Sequence, residues 1–187
     1  MHKHESAFTL IELMITLAVA AVVLTLGVPS FNNVIERNQL TAHINELVAT
    51  LNFARSEAVK RNSSIRVCQS SDGISCGGTG YEEGWIIFSD VNEDGDYADP
   101  GEELIRVNEG LPSNYTMRTN SLSSFVYNAK GRASNGRIVL CKENLLNKSR
   151  AIFIRNNGRT RLAPLDANSI PEEAPGDPIA ECTPPWT

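Results

Sequence analysis

The chain has 187 residues, 41% of them apolar and 21% charged, which suits one ordinary domain with an appendage and excludes global disorder. Its net charge of -5 excludes nucleic-acid binding over the whole surface, while leaving room for a local basic patch. The three histidines are His2, His4 and His43, so no histidine triad or histidine zinc site can be built from Asn62 onward.

The chain opens MHKHESA and turns apolar at Phe8. No charge falls between Glu12 and Glu36, a span of 23 residues. The run MITLAVAAVVLTLGV predicts a helix long enough to cross a bilayer core of about 30 Å. A secretory signal places its small cleavage residue after the apolar run. Here Ala7 precedes it, so cleavage there removes residues 1–7 and keeps the helix. Glu12 is a carboxylate inside an apolar segment, which is costly in lipid. It either marks the headgroup boundary or takes a positive partner, such as the new N-terminal amine of a neighbouring subunit. Pro29 removes a backbone donor and predicts a kink. Beyond it, Leu40, Ile44, Leu47, Val48, Leu51, Ala54 and Ala58 recur at helical steps. From Phe8 to Arg61 such a helix measures roughly 80 Å. Residues 8–29 would sit in membrane or filament core, and 30–62 against a globular domain.

After Asn62 the period becomes alternating. Strands are predicted at Ile65–Cys68, Trp85–Ser89, Leu104–Val107, Tyr115–Arg118, Phe125–Tyr127, Arg137–Cys141, Ala151–Ile154 and Thr160–Ala163. Eight short strands between turn residues predict two antiparallel sheets over residues 63–163. Asn157-Gly158 reads as a hairpin turn between the last two. Residues 164–187, with six prolines and five acids, predict an irregular tail. The fold class is therefore α+β: a long membrane-spanning helix followed by a two-sheet antiparallel domain.

Cys68, Cys76, Cys141 and Cys182 read as two disulfides in a chain that leaves the cytoplasm. Of the three possible pairings we favour Cys68–Cys76, closing a short polar loop, and Cys141–Cys182, pinning the tail. The spacings fit no zinc template.

Charge is segregated. Glu82 to Glu109 holds ten acids and one base, whereas Lys130 to Arg161 holds nine bases and one acid. In the acidic stretch, Asp90, Asn92, Asp94 and Asp96 match the opening of an EF-hand loop, with oxygens at alternating positions and Gly95 sixth. The closing Glu should be twelfth, but Gly101 stands there and Glu102 follows one place late. Calcium is one reading and a solvated acidic hairpin the other, which we favour; no other cofactor is expected. In the basic stretch, alternation turns Arg159 and Arg161 to one face. Arg155 would lie across the turn, and Lys148 and Arg150 at the other end of the preceding strand. Such a cluster, with Gly158 in the turn, suits successive phosphates of DNA, without base specificity. The alternatives are pairing with the acidic segment, a neighbouring subunit or lipid headgroups, or protection of a sheet edge. No phosphate loop or nucleophile elbow is present, and catalysis is not expected.

Several of these segments resemble one family. Ala7-Phe8-Thr9-Leu10-Ile11-Glu12-Leu13 resembles the class III signal of type IV pilins and type II secretion pseudopilins. That resemblance implies cleavage by a prepilin peptidase between Ala7 and Phe8, N-methylation of Phe8, and a role for Glu12 in assembly. The family usually has Gly where Ala7 stands. NELVATLNFARSEAVKRN resembles the second helix half of the GspH/FimT branch, and the Asp/Asn/Gly-rich hairpin after Gly84-Trp85 is similar to one in related pseudopilins. Gly158-Arg159-Thr160-Arg161 resembles the Gly-Arg-x-Arg motif of FimT-type minor pilins, a group implicated in DNA capture during natural transformation. The resemblance implies an inner-membrane protein with a periplasmic β domain, later in the pilus, whose partners are major and minor pilins, prepilin peptidase and DNA. A type II secretion pseudopilin and a purely structural minor pilin are the alternatives.

Overall fold

A computed structural model describes residues 9–120 and 123–182, with the side chains of 26–30 and 33 outside that set. Helix α1 spans Leu10–Arg61 and contains Pro29. The chain divides into two units, residues 1–39 and 40–187, so the second unit takes only the later turns of α1.

In the first unit the described apolar side chains, from Leu10 to Leu24, are exposed. The threonines among them satisfy themselves locally: Thr16 donates to the Leu13 carbonyl at 2.8 Å and Thr25 to the Val22 carbonyl at 2.9 Å. This leaves no hydroxyl seeking water along that stretch. Glu12 lies in the first turn, where its charge complements the helix dipole. Among the described residues no helix is long and apolar enough to cross a membrane. The cleavage residues Ala7 and Phe8 lie outside the described residues.

The second unit is built on the helical stripe. Leu40, Ile44, Leu47, Leu51, Ala54 and Ala58 are buried, with Val48 packed beside them. The helix ends at Asn62, whose φ of 52° is the left-handed cap that asparagine tolerates. The strands are β1 (Ile65–Gln69), β2 (Gly84–Ser89), β3 (Leu104–Glu109), β4 (Tyr115–Thr119), β5 (Ser124–Tyr127), β6 (Gly136–Lys142), β7 (Leu145–Ile154), β8 (Thr160–Leu162), β9 (Glu172–Ala174) and β10 (Asp177–Pro178). One four-stranded sheet has the order β3-β2-β1-β5 and the other β4-β6-β7-β8, with every pair antiparallel.

Both sheets supply the main core: Val67, Trp85 and Phe125 from the first, and Met117, Leu140 and Ile152 from the second, close on the α1 stripe. Alternation then gives each sheet a second face. On the first, Cys68, Ile86 and Phe88 pack with Tyr97 and Leu104. On the second, Val139, Cys141, Ala151 and Phe153 pack with Ala163, Ile179 and Cys182 from the tail.

The expectation of an irregular tail needs correction, because β9 and β10 form a short ribbon. Gly176, at φ 84°, makes its turn, and Ile179 buries itself against the second sheet. A proline-rich composition disguises this ribbon, whose strands are largely exposed; backbone bonds from the Glu172 amide to the Pro164 carbonyl at 2.8 Å and from the Ile179 amide to the Pro171 carbonyl at 2.9 Å hold it, and not strand propensity. The disulfides join Cys68 to Cys76 and Cys141 to Cys182.

Candidate nucleic-acid interface

The basic hairpin is β7, β8 and the turn between them. The Arg155 amide donates to the Arg159 carbonyl at 3.0 Å, and the Gly158 amide to the Arg155 carbonyl at 2.7 Å. Gly158 has φ 71°, so the turn closes through a left-handed glycine. The Asn157 side-chain oxygen accepts from the Arg159 amide at 3.1 Å. Arg155 and Arg159 are exposed, and among the described residues their guanidinium groups have no partner.

Arg161 behaves differently. The ladder places Arg137 and Arg161 on either side of Phe153, so the three form a row across one face. The Arg161 guanidinium lies 5.3 Å from the Phe153 ring centre and donates to the Glu173 carbonyl at 3.3 Å. Arg137 pairs with the Glu173 carboxylate at 2.8 Å. Arg161 therefore helps to hold the tail ribbon, a duty that alternation alone does not reveal.

Lys148 and Arg150 do not join the cluster. Arg150 stands opposite Leu140 and Phe153 opposite Arg137, so Arg150 projects from the face opposite Arg161. Arg150 donates to the Ser149 carbonyl at 2.7 Å, and Lys148 pairs with Glu143 at 3.4 Å. The hairpin thus presents Arg155 and Arg159 together, with Arg161 engaged and Lys148 and Arg150 elsewhere.

The acidic loop is a separate structure. Asp90 is fully buried and pairs with Arg66. Arg66 also donates to the Ser124 hydroxyl at 2.8 Å and the Glu93 carbonyl at 3.1 Å. An unpaired carboxylate in that position would be strongly destabilising. The Asp94 carboxyl is held below its usual range, first by the Asp96 amide and then by the Asn92 side chain. Asp90, Asp94 and Glu102 each have an oxygen within 4.8 Å of the others. Asp96 is not among them. The charge that this loop requires is already supplied in part by Arg66, whose place 24 residues before Asp90 gave no sign in the spacing.

A helix stripe under two antiparallel sheets, closed by two disulfides and preceded by an exposed apolar helix, defines a pilin-like subunit. Residues 43–158 match the family described as type II transport protein GspH, and residues 2–28 match the prokaryotic N-terminal methylation motif. The chain belongs to the GspH family. No curated protein gives a significant match. Among solved structures it is similar to the type IV minor pilin FimU of Pseudomonas aeruginosa, with TM-score 0.58 and 24% identity over 74% of this chain and 96% of that one. A second crystal form of FimU gives 0.55 and 23%, covering 72% and 98%. The minor pseudopilin EpsH from the type II secretion system of Vibrio cholerae gives 0.48 and 9%, covering 74% and 98%. The protein is thus a GspH-family chain that carries the prokaryotic N-terminal methylation motif on a pilin-like fold.

Proposed function

We propose that this protein is a minor pilin of the type IV pilus that holds extracellular DNA by its phosphates, for uptake in natural transformation. The observation that carries this reading is the pair Arg155 and Arg159, exposed on a hydrogen-bonded turn and without side-chain partners among the described residues. Arginine offers a planar fork of donors that suits phosphate oxygens. Binding of this kind releases counterions and ignores base sequence. The test uses the full chain in neutral detergent with a labelled duplex of about 30 base pairs, between about 50 and about 300 mM salt. Wild-type protein should bind with a steep salt dependence. The Arg155→Ala/Arg159→Ala variant should lose about 2 from the magnitude of the logarithmic salt slope. No binding by folded wild-type protein at low salt overturns the reading.

In the same reading the leader 1–7 is removed by prepilin peptidase, Phe8 is N-methylated, and Glu12 helps to register the helix among other pilins. The apolar run would anchor the chain once in the inner membrane, with the β domain periplasmic and later on the pilus. The match to the methylation motif, the exposed apolar side chains and the self-bonded threonines support this. The mature protein should have the mass of a chain beginning at Phe8 with one added methyl. Any other N-terminus refutes the processing. A second reading, a minor pseudopilin of a type II secretion system, is favoured by the description of the matched family. There the hairpin would meet a neighbouring subunit, and DNA would not be retained.

A further inference from the structure

The turn that carries Arg155 and Arg159 does not stand alone. The connection between β5 and β6 opens on a turn from Asn128 to Arg132 that repeats its design. The Asn128 amide donates to the Arg132 carbonyl at 3.0 Å, and the Gly131 amide to the Asn128 carbonyl at 2.8 Å. Gly131 has φ 69°. The Asn128 side-chain oxygen accepts from the amides of Lys130 and Arg132, each at 3.0 Å. Both turns have five residues, a left-handed glycine fourth and an arginine fifth.

The two glycines touch. A methyl group on Gly158 would strike the Gly131 carbonyl oxygen and lie 3.0 Å from its carbon. Arg55 of α1 staples the pair: its Nε donates to that carbonyl at 3.0 Å. Arg132 and Arg159 each follow a touching glycine by one residue, ~3.8 Å of chain. Lys130 and Arg132 are exposed, and their side chains have no partner among the described residues. A cleft of about 300 Å³ joins the turns, lined by Asn128, Arg132 and Ser134 from one side and Asn156 from the other. Its acid, Glu93, is engaged by the Ser64 hydroxyl at 2.7 Å.

We infer that the polyanion-binding surface is a platform of both turns, with Lys130 and Arg132 contacting the same phosphate backbone as Arg155 and Arg159. This rests on the DNA-binding reading above and extends it to a segment outside the last hairpin. Side chains without partners add counterion release at little structural cost, and shared backbone contacts fix their spacing. Four cations on two locked turns would grip adjacent phosphates, whereas Arg161 stays committed to Phe153 and Glu173.

The test is the salt series on full-length Lys130→Ala/Arg132→Ala protein in the same detergent and with the same duplex. The variant should melt as wild type does. Its affinity should fall about tenfold near 100 mM salt, and its salt slope should lose about 2 in magnitude. The Lys130→Gln/Arg132→Gln variant, closer in shape, should give the same result and serves if the alanine variant folds poorly. Unchanged affinity and slope, in a protein whose binding still depends on Arg155 and Arg159, overturns this inference and leaves the DNA reading intact. If wild-type protein does not bind, both fall together.

Discussion

Replacing Cys141 and Cys182 with alanine should destabilise the second unit by about 4 kcal/mol, the larger effect of the two disulfides. The Cys141–Cys182 bond joins positions 41 residues apart, against 8 for Cys68–Cys76. Chain-entropy arithmetic gives about 4 kcal/mol for the long loop and about 2.5 kcal/mol for the short one. For a unit of this size that places the melting temperature roughly 8–16 °C lower for the long loop. Packing points the same way. Cys182 and Ile179 complete a cluster with Val139, Cys141, Ala151 and Phe153, and loosening the tail wets that face. Thermal melts of the two double variants in neutral detergent check the ranking. A loss below about 1 kcal/mol for the long loop would mean that Ile179 and the Glu173 contacts hold the tail unaided.

Much of this architecture was legible as pattern. The i, i+3, i+4 stripe from Leu40 to Ala58 reports directly which helix face is buried, because burial is what produces the periodicity. The eight main strands were legible for the same reason, although β7 begins six residues before its apolar stretch. Its opening, Leu145 to Arg150, holds two leucines and then four polar residues, and its ladder to β6 shifts register between Cys141 and Lys142, so no regular alternation marks it. What pattern misses is contact between distant segments. Alternation placed Arg161 on a face but could not show Phe153 beside it or Glu173 above it. The acidic spacing suggested an ion loop, while Arg66, a β1 residue, supplies a positive charge inside it. Gly131 and Gly158 read as separate turn residues, since nothing local records that two turns lean on each other.

That contact makes Gly158→Ala the sharpest probe of the site. At φ 71° an alanine carries the left-handed penalty of about 1–2 kcal/mol. Its methyl also meets the carbonyl of Gly131, which is backbone and already hydrogen-bonded to Arg55. The turns must separate, and a total near 3 kcal/mol is expected, or roughly 6–12 °C in melting temperature. Gly176→Ala is the control. Its φ is 84°, but a methyl there meets nothing within 4 Å, so only the backbone penalty applies. The difference between the variants measures the contact itself. DNA binding adds an independent readout: Gly158→Ala removes no charge, so a simple count of cations predicts an unchanged salt slope. If four cations act through fixed spacing, the slope should fall while the unit remains folded. An unchanged slope would mean that the arginines work as loosely tethered charges and that the turn contact serves stability alone.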